Sequence, residues 1–191
     1  RPPVSLAMDT DREHRVVTEG DPEKRKALVA DSAARTRDRM KQACLVCHGP
    51  NWVEGFYAGY DQFIQLYNEK FARPGARLMN LLYDRKLVAK GQFRDPIEWD
   101  WYYLWHHQGR RARHGASMMA PDYAHWHGMF EVAEAFYMKV VPEAREIARR
   151  AAAEGKKADA DAVNALLDEI LARPEHAWFQ AEKVKRGEPG K

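Results

Sequence analysis

The chain has 191 residues, with 31 Lys and Arg against 28 Asp and Glu and a net charge of +3, long enough to bury an ordinary core as one domain or two small ones. So small a charge demands neither nucleic acid nor an acidic lipid surface as partner, and no apolar run approaches the length of a membrane span. Ala, Arg and Glu are abundant, and with six Trp and eight Tyr the balance favours a helical protein packed through large aromatic side chains.

Residues 1 to about 20 read as an extended polar arm with Pro2, Pro3 and Gly20 and no sustained periodicity. Asp21 followed by Pro22 is a helix start, a capping side chain before a proline at the first helical position, and the helix is expected to run to near Met40. After Gly49-Pro50, Asn51 and Glu54 have capping-box spacing and open a second helix. It carries Trp52, Phe56, Tyr60, Phe63, Leu66 and Tyr67, an aromatic stripe expected to pack in the core. Pro74-Gly75 is expected to interrupt it, and Leu78, Leu81, Leu82 and Leu87 continue the pattern until Gly91. Asp95, Pro96 and Glu98 open the next helix, which carries Trp99, Tyr102, Tyr103, Trp105, His106 and His107 to Gly109. A further stretch starts near Pro121-Asp122 and runs through Trp126 and Phe136 to about Val140, where Pro142 kinks or restarts it. Residues 143–153 form an Arg- and Ala-rich helix ended by Gly155, Asp159 or Asp161 opens another, Pro174 the last, and 183–191 read as a solvated tail. No alternating run is flanked by hairpin chemistry, so the expected fold is all-α, without repeats.

Between the first two helices stands Cys44-Leu-Val-Cys47-His48, which uses both cysteines of the chain. Two thiols three positions apart followed by a histidine are the attachment signature of c-type haem: each thiolate adds to one haem vinyl group and the imidazole meets the iron. A thioredoxin-like redox pair would want a βαβ context, and a zinc site would need a second ligand pair at suitable spacing; neither is present. Haem c is attached outside the cytoplasm. The chain begins Arg1-Pro2-Pro3 with no initiating methionine or signal peptide, so the expectation is an exported polypeptide, processed, truncated or part of something larger, in the periplasm or another extracytoplasmic compartment. The expected organisation is an arm over 1–20, a haem-binding helical domain over 21–155, and C-terminal helices with a polar tail over 156–191.

One haem iron has a second axial position, and the chain offers a surplus of ligands for it. His106, His107, His114, His125 and His127 fall within 22 residues, five of the eight histidines, interleaved with Trp, Tyr and Met. Some therefore ligate haems the chain does not itself attach, or line a substrate pocket. Met118 and Met119 are alternative thioether ligands. On a helix His125 and His127 point to nearly opposite sides, so they cannot serve one iron. Arg110, Arg111 and Arg113 form either a solvated basic face or partners for haem propionates, which guanidinium geometry suits.

The runs Met40–His48, Trp52-Val-Glu-Gly-Phe56 and Tyr67-Asn-Glu-Lys70 together resemble the last haem motif of octahaem hydroxylamine oxidoreductases and hydrazine dehydrogenases. Pro96-Ile-Glu-Trp99, Leu104–Arg113 and Gly115–Gly128 resemble the C-terminal helical region of the same enzymes, so the likeness covers roughly Met40 to Glu143. It implies an all-α multihaem cytochrome c type of fold, here its C-terminal helical region with one c-type haem. It implies a catalytic haem linked to a tyrosine from a neighbouring subunit, which the Met-Met-x-x-Asp-Tyr pattern puts at Tyr123. The other haems would be bis-histidine relays. His48 would be the proximal ligand, and His106, His107, His125 or His127 would supply distal ligands to this haem or to others.

Asp122 and His125 beside Tyr123 are the expected proton acceptors, since dehydrogenating an N–H substrate releases protons with the electrons. Implied partners are the remaining haem-bearing part of the enzyme in a homotrimer or hetero-assembly, a small nitrogenous substrate such as hydroxylamine or hydrazine, and a soluble electron-acceptor cytochrome. The departure is that seven further haem motifs of a complete enzyme are missing, so the chain is expected to be the C-terminal part, or a separate subunit, of such an enzyme. The alternatives are a monohaem electron-carrier cytochrome and a haem-bearing assembly subunit.

Overall fold

The computed structural model describes residues 21–89, 91 and 93–179; the expected arm over 1–20 and the tail over 183–191 lie outside the described residues. Every regular element among the described residues is helical, so the chain is all-α. No described helix is long and apolar enough to cross a membrane. The described residues divide into two compact units, with the boundary between Gln65 and Leu66.

In the first unit, α1 (Pro22–Cys44) starts as the sequence dictates: Asp21 is extended and its carboxylate accepts from the amides of Glu23 and Lys24. α2 (Pro50–Tyr67) opens differently. Asn51 already lies inside its first turn, and the amides of Trp52 and Val53 donate to the Gly49 carbonyl. The capping box does not form, because Glu54 is engaged by Lys41 of α1 at 2.8–2.9 Å. Arg37 makes a two-pronged pair with Asp61 at 2.6 and 2.7 Å, and this hydrogen-bonded carboxylate raises the Arg37 pKa. Tyr57 lies between the two pairs, with Arg37 and Lys41 over its ring at 5.1 and 5.4 Å.

In the second unit the chain stays helical through π1 (Asn68–Ala72) into α3 (Arg73–Asp84). Pro74 therefore does not interrupt the helix. Its ring would strike the carbonyl four residues back, at Lys70, and the wider turn of the π segment there makes room for it. The same arrangement recurs at Pro142, where π4 (Phe136–Val140) precedes α8 (Val141–Ala153).

The run from Pro96 is α4 (Pro96–Tyr102), π2 (Tyr103–Gln108) and α5 (Gly109–Ser117). It does not stop at Gly109. That glycine serves close packing, since a Cβ there would strike the Tyr67 ring. After a turn come α6 (Pro121–Ala124), π3 (His125–Phe130) and α7 (Glu131–Ala135), which lead into π4 and α8. α9 (Lys157–Leu171) begins before either expected aspartate; Asp159 instead pairs with Arg85 at 2.8 Å. A short 3-10 turn, Pro174–His176, follows.

The core of this unit is built from Leu78, Leu82, Ile97, Leu104, Val132, Phe136, Val140, Ile147, Leu167 and Ile170, each at most 3% exposed. Glu98 is buried among them. Its carboxylate does not cap α4 but accepts from the amides of Gly91 and Arg94 and from the Tyr83 hydroxyl, tying the preceding loop down.

α3 ends in a Schellman motif: Leu87 donates to Leu82 O at 2.9 Å and Lys86 to Tyr83 O at 3.0 Å, with Lys86 left-handed at φ 55°. α8 ends the same way with a glycine, Gly155, at φ 83°. A left-handed lysine costs about 1–2 kcal/mol that glycine avoids, partly offset by glycine's freer unfolded chain. Lys86→Gly is therefore expected to stabilise the protein by about 0.5–1 kcal/mol, read as a higher urea midpoint at unchanged slope.

His176 is fully buried. It stacks on Phe136 at 5.6 Å, and its Nδ1 shares a 2.6 Å hydrogen bond with the Tyr137 hydroxyl, while Nε2 has no partner. Burial, reinforced by the Lys70 charge, pushes the His176 pKa down from 6.5 to about 4. In the unfolded chain it would take up a proton near 6.5, which the folded state refuses until about pH 4, so stability falls as pH drops through that window. The loss is expected to approach about 3 kcal/mol, and His176→Gln should flatten this part of the stability–pH curve in denaturant titrations.

Candidate functional site

The two thiols and the histidine of the attachment motif sit in the turn that joins α1 to α2. Cys44 is the last residue of α1, and the amides of Cys47 and His48 donate back to its carbonyl at 3.2 and 2.9 Å. One turn thus carries all three groups. Both thiols are free, Cys44 half-buried and Cys47 exposed. Among the described residues no three His, Cys, Asp or Glu side chains form a metal-holding group. The His48 ring lies flat on Trp52, centroids 3.9 Å apart and planes within 13°. Trp52 continues onto Phe56 and Phe56 onto Tyr60, again nearly parallel. The stripe expected to be plain core is therefore graded: Trp52 is 44% exposed and Tyr60 6%. These donors fit a haem c: two reachable thiols, an imidazole beside them, and flat aromatic surface around it.

In the second unit, Arg110, Arg111, His114, Gly115, Met118, Ala120 and Tyr123 line one cavity of about 410 Å³. Tyr123 and the two arginines, singled out separately along the sequence, are thereby brought together. α5 supplies the cations and α6 the phenol. What holds α6 against α5 is the absence of two side chains. A Cβ on Gly115 would meet the Ala124 amide and Tyr123 backbone, and one on Gly128 would meet the Tyr123 carbonyl and Ala112 Cα. Met119, left-handed at φ 54°, turns the chain between them, and the Ala120 amide closes the turn on Gly115 O at 2.8 Å. Arg111 is shared with Glu131 at 2.5 Å. Arg113 faces away into packing, over the Tyr67 ring at 5.1 Å with its Nε on Gly109 O.

The histidines differ in what engages them. His127 is held on both sides: Nδ1 lies 3.0 Å from Glu131, Nε2 lies 3.8 Å from Asp122, and the Tyr123 ring is 5.9 Å away. Asp122 does not cap α6, which has no side-chain cap. His125 is exposed. His106 stacks on Tyr102 at 4.6 Å, with a buried, unpartnered Nδ1, and burial, followed by the charges of Arg110 and His107, lowers its pKa. His107 lies against Tyr103 at 5.1 Å. The pairs His106–His107 and His125–His127 each ride on a π segment, π2 and π3, and neither segment precedes a proline. Extra residues inserted in a helix re-aim side chains, and such bulges concentrate at functional sites.

Around these groups Trp99, Tyr103, Trp105, Trp126 and Phe130 are each at least 40% exposed. Sequence reading missed Glu131, whose only signal was its position four residues after His127, and missed the stacking of Trp52 on His48, signalled by the same spacing. No protein-family model, curated protein or solved structure matches this chain.

The glycine contact gives a direct test. Gly128→Ala is expected to cost about 2–3 kcal/mol, because the methyl group meets backbone that cannot step aside. Gly55→Ala, where an added methyl meets nothing within 4 Å, should instead raise stability by about 0.5–1 kcal/mol, both measured in urea melts.

Proposed function

We propose that this chain is the haem c-bearing part or subunit of a hydroxylamine oxidoreductase-like multihaem enzyme that oxidises a small nitrogen compound, hydroxylamine or hydrazine, and passes the electrons on through bis-histidine haems. The observation that carries the reading is the convergence of Tyr123, Arg110 and Arg111 on one cavity of about 410 Å³. Tyr123 was expected from the resemblance and the arginines, from their own chemistry, as either a solvated basic face or propionate partners, and they share a wall.

Cys44 and Cys47 would hold the chain's own haem through thioethers, with His48 as an iron ligand; when bound, such a haem supplies reversible one-electron transfer. His106, His107, His125 and His127 are the pool for distal ligation here and in neighbouring haems. The two clamping carboxylates make His127 the least available of them. At the cavity, Tyr123 presents an exposed phenol to a haem carried by another part of the assembly, and Arg110 and Arg111 offer that haem's carboxylates paired charge. Asp122 and His125, flanking Tyr123, would accept the protons released with the electrons. The exposed aromatic side chains of α4, π2 and π3 supply surface for the remaining haem-bearing part. The compartment would be the periplasm or its equivalent.

The electron-carrier reading draws on one observation, that the attachment turn is complete within the first unit. Isolation of the native assembly separates the two. The enzyme reading expects this chain to copurify with multihaem protein. A lone monomer with one low-spin haem overturns it. Cys44→Ala and Cys47→Ala together are expected to abolish covalent haem staining of this chain. Tyr123→Phe is expected to change the spectrum of the catalytic haem and lower turnover by at least tenfold; an unchanged spectrum and rate would remove Tyr123 from the site.

A further inference from the structure

We infer that Trp52 is the positioning residue for the His48 imidazole, fixing the plane of the ring by stacking. The inference rests on the reading of Cys44, Cys47 and His48 as a haem attachment turn. The backbone of His48 is fixed to the end of α1 by its amide on Cys44 O at 2.9 Å. Its ring then reaches the first turn of α2 and meets Trp52 at 3.9 Å and 13°, the closest ring pair among the described residues.

Iron-ligating histidines ordinarily donate their second ring N–H to a carboxylate, a carbonyl or water, and that bond sets both the ring plane and the basicity of the ligand. In this structure the group in contact with the His48 ring is the Trp52 indole. The indole is itself held: Trp52 lies on Phe56 at 6.1 Å and 10°, and Phe56 on Tyr60 at 6.4 Å and 11°. Tyr60 is 6% exposed, so four parallel rings descend from an exposed ligand to a buried anchor, four residues apart at each step. A free-standing imidazole would turn about its side-chain bonds; this one is confined to the plane of the ladder.

The full chain, produced in a host that attaches haem c, tests this with Trp52→Leu and Trp52→Phe beside the wild type. Haem content, the midpoint potential and the low-spin electron paramagnetic resonance g-values are read for each. Trp52→Leu is expected to shift both the potential and the g-values at unchanged haem content and thermal midpoint, and Trp52→Phe to restore them. A Trp52→Leu protein with wild-type potential and g-values overturns the inference and leaves the haem reading standing. If the wild type takes up no covalent haem, the haem reading is overturned. The ring-current shift of the His48 protons in the haem-free chain then decides the stack: it should disappear in Trp52→Leu, and its persistence would overturn the positioning role.

Discussion

Two helices approach too closely for a side chain between them, and the cavity of the second unit depends on that contact. Gly115 on α5 and Gly128 on π3 bracket the Tyr123 backbone, with Ala112 beside Gly128. Because the arginines ride on the same helix as Gly115, the spacing between the backbones that carry the guanidinium groups and the phenol is set by backbone-to-backbone contact. Interiors are close-packed and not readily deformable, so a site mounted in this way holds its dimensions while its exposed side chains remain free to meet a ligand.

A second regularity is the helical ladder itself. Four π segments occur among the described residues. Two of them, π1 and π4, stand immediately before Pro74 and Pro142 and relieve the clash that would otherwise kink the helix. No proline accounts for π2 and π3. Their poorer hydrogen-bond geometry is a local cost, and both carry the histidine pairs on which the proposed ligand pool rests. A helix that accepts a cost with no steric reason, at its most chemically equipped positions, is consistent with rearrangement for function.

Features written in adjacent residues were readable from the chain alone. Asp21-Pro22 starts a helix as expected, Gly155 ends one, and Cys44, Cys47 and His48 declare their spacing, because each depends on a few neighbouring backbone groups. What failed were places where a distant partner changed the meaning of a local signal. Glu54 left its capping role for Lys41, Glu98 turned to the Gly91 and Arg94 amides, and Gly109 made room for Tyr67 instead of ending a helix. Pro74 was misjudged because a π turn is invisible in hydrophobic period. The buried His176 carries no signal in its neighbouring residues, since only tertiary packing sets it against Phe136 and Tyr137.

The first helix raises a different matter. Of its 23 residues only Ser32 and Ala33 are buried, and its described contacts with α2 include the Arg37 and Lys41 ion pairs and the Tyr57 ring. The Arg37 and Lys41 side chains are 18% and 22% exposed and their carboxylate partners 43% and 65%, so salt reaches these pairs from the carboxylate side and screens them over a Debye length of about 8 Å at physiological ionic strength. Amide protons of α1 should then exchange with solvent ahead of those of the buried core helices, and sooner as salt is added. Cys44 closes that helix, so on the haem c reading proposed above its unravelling would bare the Cys44 thiol for attachment. The two thioethers would then tie the last residue of α1 to the turn that follows it, and the cofactor would set where the helix stops.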